Sequence, residues 1–276
     1  METASYKEVL QQTVHFPFND LMVTPINEGL INRTYKVTIK ANGYQFILQQ
    51  INNEIFPEPE KLQENYYHIW SYLENGDVPA ALPIRFSIPK PLRFEDMNYF
   101  FTDSRGKYWR QYELVPDAIA IHKPVSVAQA KKVAETFACL TASFDHYPIE
   151  NIHTTIPGFH DLSLRYHQFR QALNLHNFER LANAASLINQ LRKREGYVNF
   201  YEIIAESPEF EKRLMHHDAK ISNILFEEDT GNIICPIDFD TCMPGYFFSD
   251  LGDLIRSMAC SEDESGTGLK GLHIRK

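Results

Sequence analysis

MHHDAKISNILFEEDTGNIICPIDFD, residues 215–240, decides how this chain is read. His216 and Asp218 stand two apart, and Asn223 follows Asp218 by five residues. NILF (223–226) reads as a strand, EEDTGN (227–232) as a turn and IICPIDF (233–239) as the return strand. Pairing the two strands carries Asp238, 20 residues beyond Asp218, back beside Asn223. Two carboxylates and an amide are thereby gathered at one end of a hairpin.

Phosphoryl transfer from a nucleotide needs few groups, and these fit it. One carboxylate orients the acceptor hydroxyl and takes its proton, and oxygen ligands hold Mg²⁺ on the phosphates. The protein-kinase pattern H-R-D-L-x-x-x-N followed by D-F-G assigns the roles by position. Asp218 is then the base, and Asn223 and Asp238 are the Mg²⁺ ligands. Lys220, two residues past the base, reaches toward the γ-phosphate. His216 props the loop by hydrogen bonding. Asp240 is either a second metal ligand or a loop carboxylate. His217 is a solvent or packing histidine, since two adjacent histidines alone do not make a zinc site.

The rest of the chain sorts into strands first and helices after. INRTYKVTIK alternates Tyr35, Val37 and Ile39, ANG (41–43) marks a turn, and YQFILQQI gives a partner strand. NEGLINRTYKV reads as a turn over a nucleotide, with Gly29, Asn32 and Arg33 lining it. FILQQIN stands where a third strand would carry a phosphate-contacting lysine, yet it offers Gln49 and Gln50. Gln50 takes that place in the nucleotide site, and Arg33 or Lys220 is left to supply the charge. A helix spans Glu58–Leu73, with Leu62, Tyr66, Ile69 and Leu73 on one face. Glu64 on it is a partner for such a cation or a solvated helix charge. Two more strands flank a turn at Asp103–Gly106. Ser126-Val-Ala-Gln129 is a capping box, opening a helix faced by Val133, Phe137, Leu140 and Phe144. Residues 161–206 read as helix in two pieces. The class is α+β: a small β-rich lobe (1–112), a larger helical lobe (113–276) and a hinge near 112–118, with the ligand cleft between them.

Composition removes other classes. Of 276 residues, 27 are Lys or Arg and 36 are Asp or Glu, a formal charge of −9. An acidic chain with no basic block is a poor partner for nucleic acid or an anionic membrane surface. No run approaches the roughly 18 apolar residues of a membrane span, and the polar start METASYKEVLQQ lacks a signal-peptide pattern. A cytoplasmic protein is expected. The four cysteines form no C-x-x-C pair and read as reduced thiols.

EGLINRTYKV with FILQQIN, WRQYELVPDA, GFHDLSLRYHQFRQAL, and HHDAKISNILF through IDFDTCMPGYFFSDLGDLIRS resemble the aminoglycoside phosphotransferase and choline kinase superfamily, and within it the N-acetylhexosamine 1-kinase-like sugar kinases. The resemblance implies the two-lobed protein-kinase-like fold and ATP in the cleft, with adenine against Tyr112, Glu113 and Val115. It implies Asp218 as base, with Asn223 and Asp238 on Mg²⁺. The acceptor it implies is an N-acetylated hexosamine phosphorylated on its anomeric hydroxyl. His160 and Asp161 either face that sugar or cap the helix that follows. Another small alcohol (choline, an aminoglycoside or an amino alcohol) is the alternative acceptor, and a nucleotide-binding pseudokinase module the alternative class. Two features depart from the family: Gln50 stands in place of a basic residue, and the chain ends soon after IDFDTCMPG, before the family's further C-terminal helices. SDLGDLIRSMAC is expected to be a helix with Leu251, Leu254, Ile255 and Met258 as an apolar stripe. The last 12–16 residues carry no helical period. They are expected to be poorly ordered, leaving one wall of the acceptor site missing or loosely formed.

Overall fold

Alternation of apolar and polar residues builds an antiparallel sheet from β1 (Leu21–Ile26), β2 (Arg33–Ile39), β3 (Gln45–Ile51), β4 (Pro91–Leu92), β5 (Phe101–Thr102) and β6 (Tyr108–Glu113). The order is β1-β2-β3-β6-β4, with β5 also pairing β6. This is a computed structural model, describing residues 3–13, 17–27, 29, 31–76, 78–175, 177–260 and 274. Successive side chains leave a strand on opposite faces. Tyr35, Val37, Ile39, Phe46, Leu48 and Trp109 fill one face and are buried with Val9 and Leu10 of helix α1 (Thr3–Gln11). The other face carries Thr34, Lys36, Thr38, Ile47 and Gln49, half-buried and turned toward the rest of the chain. Cross-strand bonds from Gln49 to Thr34 (2.9 Å) and from Gln45 to Thr38 (3.1 Å) knit this polar face together.

Helix α2 (Pro59–Asn75) starts with proline at its first position, where no backbone donor is needed, and buries Leu62, Tyr66 and Ile69. Tyr66 packs at a tilt against Tyr112, ring centroids 4.5 Å apart, and meets Phe239 edge-on, 6.2 Å away. One core therefore runs from α2 and the inner sheet face into the helical half, joining Tyr112, Phe137, Leu140, Ile221, Phe226 and Phe239.

The chain leaves β6 at Glu113 and enters β7 (Ala118–Ala120), which pairs with β9 (Ile224–Glu227); β9 pairs in turn with β10 (Ile233–Pro236). Helix α3 (Val127–Ser143) opens as its capping residues dictate: Ser126 accepts from the Gln129 N–H, and the Gln129 side chain accepts from the Val125 N–H. Residues 161–206 form four helices, where two pieces were expected: α4 (Leu162–Leu173), α5 (Phe178–Asn183), α6 (Ala185–Arg192) and α7 (Gly196–Glu206). One of the two extra breaks has a local cause, because Asn177 caps α5 by accepting from the Arg180 N–H.

Strands β8 (Arg213–Met215) and β11 (Met243–Gly245) pair and bracket the hairpin, and helix α8 (Phe247–Ala259) follows. Its expected stripe splits into two ridges. Leu254 is buried and Met258 packs on the core, whereas Leu251 and Ile255 are 50% and 58% exposed. Each pair is four apart and the two ridges are turned about 60° from one another round the helix, so that, among the described residues, one ridge meets the core and the other does not. The expectation for the last 12–16 residues falls outside the described residues, apart from Ile274, which bridges Cys260. Among the described residues no helix is long and apolar enough to cross a membrane.

Phe137 lies edge-on to the His216 ring, 5.4 Å away, and is 1% exposed. Phe137→Ala should cost about 3–5 kcal/mol of stability, the range for truncating a buried aromatic. A thermal denaturation midpoint close to the parent's would contradict this packing.

Candidate active site

Between β8 and β9 the chain makes a sharp loop, His216–Lys220, and then a 3-10 turn at Ile221–Asn223. The loop is held from below by a carboxylate. Asp250 of α8 accepts the backbone N–H of His216 (3.0 Å) and of His217 (2.7 Å). Burial pushes the Asp250 carboxyl up, while His216 and the two backbone donors oppose that. His216 is packed between Phe137 and Phe239. Its Nε2 lies 3.0 Å from the Ile237 carbonyl, which only accepts, so Nε2 carries the proton. Nδ1 is then free to accept from the Asp218 N–H at 3.3 Å. The ring thus ties the loop to the hairpin's return strand, matching the propping role read from its position.

His217 is buried, in the left-handed region at φ 63°. Its ring stacks on His160, and a Cβ at Gly245 would stand 2.2 Å from it. Burial, aided by His160 and His216, pushes its pKa down to about 3, so the ring is neutral. Of the two readings of this histidine, packing is the one the geometry shows.

Asp218, Lys220, Asn223 and Asp238 converge. Lys220 Nζ lies 2.9 Å from Asp218 Oδ2. The Asn223 amide donates to the same oxygen and to the Asp218 carbonyl, both at 2.9 Å. The Ile237 N–H donates to the Asn223 carbonyl, placing Asp238 directly beside Asn223. Asp238 also takes left-handed dihedrals (φ 63°, ψ 60°), a conformation that costs a non-glycine residue of order 1–3 kcal/mol and clusters at functional sites. The residue is accessible to solvent. Desolvation, then the like charges of Asp240 and Asp218, push its carboxyl up to about 6. The carboxylate makes no hydrogen bond or ion pair among the described residues, and the Asn223 amide oxygen makes none either. An unpaired carboxylate beside an unpaired amide oxygen fits a hard divalent cation that takes its remaining ligands from phosphate and water.

Asp240 belongs to a buried ion pair. Arg110 of β6 is 2% exposed, and its Nη2 lies 2.6 and 2.7 Å from the two oxygens of Asp240. Nε and Nη2 also donate to the Gln49 amide oxygen, and the guanidinium lies over the Tyr112 ring. Asn32 donates to Asp240 Oδ2 at 2.7 Å and accepts from the Asn52 N–H. Both Asp240 oxygens are therefore engaged by the β-sheet N-terminal part, through Arg110 and Asn32.

The nucleotide-side residues are spread more widely than expected. Gln49, opposite Arg110 in the register, is on the sheet face turned to the hairpin. Gln50 pairs with Arg33 and Trp109 and leaves on the opposite face, as does Arg33. Of the two glutamines, Gln49 is the one on the sheet face that carries Arg110. Gly29 is exposed, and a methyl added at its Cα would meet, among the described residues, nothing closer than the Asn32 carbonyl oxygen at 3.6 Å. Tyr112 is buried, Glu113 exposed and Val115 half-buried along the connector. Glu64 pairs with His153 at 2.9 Å instead of a cleft cation. Asp161 caps α4 through the Leu164 N–H. His160 Nε2 contacts the His217 carbonyl at 3.0 Å, next to Asp218, and lies 3.8 Å from Asp253.

The family model described as the phosphotransferase enzyme family, APH, matches residues 22–270. This chain belongs to that family. A crystal structure of an aminoglycoside-3'-phosphotransferase of type VIII aligns with TM-score 0.52 at 15% identity, over 92% of this chain and 83% of its own. Choline kinase from Cryptosporidium parvum Iowa II gives 0.49 at 13% identity, over 96% and 71%. An aminoglycoside phosphotransferase from Streptomyces rimosus, in complex with ADP and streptomycin, gives 0.49 at 16%, over 85% and 76%. The fold is the kinase-like one, with a β-sheet N-terminal part and a helical C-terminal part.

Arg110 and Asp250 were missed by sequence reasoning. Arg110 left a signal: a charged residue in YWRQYE, a strand otherwise reading as buried. Asp250 lies in the first turn of α8, where an acid is common, and so left no distinct signal.

Two substitutions test this geometry. Gly245→Ala drives a methyl into the His217 ring and should lower both thermal stability and nucleotide-dependent activity, seen by melting and turnover together. Gln50→Arg adds charge on the far face and should leave ATP affinity within about twofold of the parent, even at low ionic strength where charge effects are largest. Marked tightening by calorimetry would place Gln50 in the cleft after all.

Proposed function

We propose that this chain is an ATP- and Mg²⁺-dependent kinase that phosphorylates a hydroxyl of a small acceptor. The observation that carries the reading is the convergence of Asp218, held by Asn223 and Lys220, on Asp238, whose carboxylate has no partner among the described residues. In this reading the acceptor hydroxyl donates to Asp218. As its oxygen forms a bond to the γ-phosphorus and the bond to ADP breaks, Asp218 takes the proton and later returns it to solvent. Lys220 lends positive charge beside the attacking oxygen. Asn223 fixes the Asp218 carboxylate and, with Asp238, would hold Mg²⁺. Bound there, Mg²⁺ supplies neutralisation of the phosphate oxygens. Ile47, half-buried on the sheet's inner face, and the connector from Tyr112 to Val115 would receive the adenine.

The finer proposal is an N-acetylated hexosamine as acceptor, phosphorylated on its anomeric hydroxyl. Its support is the likeness of IDFDTCMPG and SDLGDLIRS to the sugar 1-kinases, together with His160 and Asp253 as polar groups near Asp218. Asp161 is spent on its helix and is left out of the acceptor site.

Asp218→Asn should preserve the fold and ATP binding while lowering turnover about 10²–10⁴-fold, the worth of a positioned base. Unchanged turnover would remove this residue from the mechanism. Asp238 sets the pH dependence. Its carboxyl is raised to about 6, so it is neutral below that pH and binds a cation poorly. Mg²⁺-dependent ATP affinity should be flat above about pH 7 and fall by about tenfold per unit below 6. The effect on folding runs the other way. A raised carboxyl favours the folded state below the ordinary aspartate range, and that contribution is lost as pH rises through about 6. Calorimetric titration from pH 5 to 8 reads the binding effect directly, and Asp238→Asn should abolish both the affinity and its pH dependence.

A further inference from the structure

We infer that Arg110 is a positioning residue for the metal-bearing turn: paired with Asp240 across the cleft, it fixes Asp238 beside Asn223, the task a strand-borne lysine would otherwise share. The inference rests on the proposed kinase reading of Asp238 and Asn223.

Three observations carry it. First, the charge the third strand lacks is supplied one strand further on. Gln49 faces the cleft from β3, and Arg110 stands directly opposite it in the register, using Gln49 Oε1 as an acceptor for Nε and Nη2. Second, the counter-charge is two residues from Asp238. Phe239–Thr241 is a single 3-10 turn, with Phe239 buried against Tyr66 and His216, so a shift of Asp240 is passed to Asp238. Third, the Asp240 turn is tied from three more sides. Asn32 reaches its carboxylate, Thr155 donates to its carbonyl at 2.9 Å, and the Thr241 hydroxyl donates to the His216 carbonyl at 2.8 Å. The α2 helix, which would carry an acid for a strand-borne lysine, gives Glu64 to His153 instead.

The physical reason is compensation. Arg110 and Asp240 side chains are 3% and 5% exposed. Removing one partner leaves a charge buried without its counterpart, which is strongly unfavourable. The turn answers by swinging Asp240 toward water, and Asp238 leaves Asn223. Removing both charges takes that force away. Lysine keeps the charge but not the fork that spans Gln49 and Asp240 together.

The test compares Arg110→Met, Asp240→Asn, the double variant and Arg110→Lys. Calorimetry measures ADP affinity with and without Mg²⁺, and turnover is followed beside it. For Arg110→Met the tightening of ADP by Mg²⁺ should fall at least tenfold, with metal-free ADP affinity within about threefold of the parent. Asp240→Asn should lose a similar factor. The double variant should be no worse than the poorer single one, and Arg110→Lys should lie between. Should Arg110→Met fail to fold, the double variant against Asp240→Asn carries the comparison. Losses that multiply in the double variant, or Mg²⁺-dependent ADP binding unchanged in Arg110→Met, would overturn the inference. The parent protein separates this from the kinase reading: a parent whose ADP affinity ignores Mg²⁺ sinks that reading, and this inference with it. A parent that responds while Arg110→Met responds equally sinks this inference alone.

Discussion

A guanidinium removed from water needs a counter-charge and acceptors fixed in place, and in this protein Arg110 finds them on two different parts of the fold. Gln49 comes from the neighbouring strand, and Asp240 comes from the turn after the hairpin. The pair therefore relates the sheet to the helical part through charge-assisted hydrogen bonds at 2.6–2.7 Å. Buried ion pairs add little net stability, since desolvation offsets most of the attraction. What this one provides is geometry. With Tyr66 packed on both Tyr112 and Phe239, there is one low-energy way for the inner sheet face to meet the hairpin.

Below that contact a second anchor holds the catalytic loop. Asp250 takes two consecutive backbone donors, the N–H groups of His216 and His217, and His217 itself takes left-handed dihedrals. Strained backbone occurs at His217 and Asp238, on either side of Asp218 and Asn223. The surroundings over-determine each: the His160 and Gly245 walls hold His217, and the tied 239–241 turn holds Asp238. Among the described residues, Asp238 is the carboxylate left without a partner where Asp218, Asp240 and Asp250 have theirs. That asymmetry distinguishes a carboxylate that awaits a cation from those that serve the fold.

The hairpin and the residues it gathers were legible in the sequence because short-range signals specify them. A turn with Gly231 in the left-handed region, alternating strands and fixed spacing need no tertiary information. The same is true of the helix at Ser126, whose cap is local. The sheet face occupied by Gln50 was legible in principle from the alternation of Phe46, Leu48 and Gln50, but a family pattern outweighed the period-2 rule. The pairings of Arg110, Asp240 and Asp250 were illegible for a different reason. Their partners lie 130 residues apart for the ion pair and 34 and 33 for the loop clamp, and no local pattern encodes such pairings. The split stripe on α8 shows the same limit: periodicity says which residues share a face, and only the packing says which face is covered.

Transfer of a phosphoryl group from ATP to the hydroxyl of a small acceptor is the central claim. Phosphorus NMR of the protein with Mg·ATP and a panel of N-acetylhexosamines, hexoses and amino alcohols tests it most directly, because donor loss and product formation are seen in one spectrum. The predicted result is ADP and one new phosphomonoester growing together in equal amounts, only with Mg²⁺ present, and for an N-acetylhexosamine the coupling of a phosphate on the anomeric carbon. Mg·ATP left intact with every acceptor, or consumed only to inorganic phosphate, would contradict it.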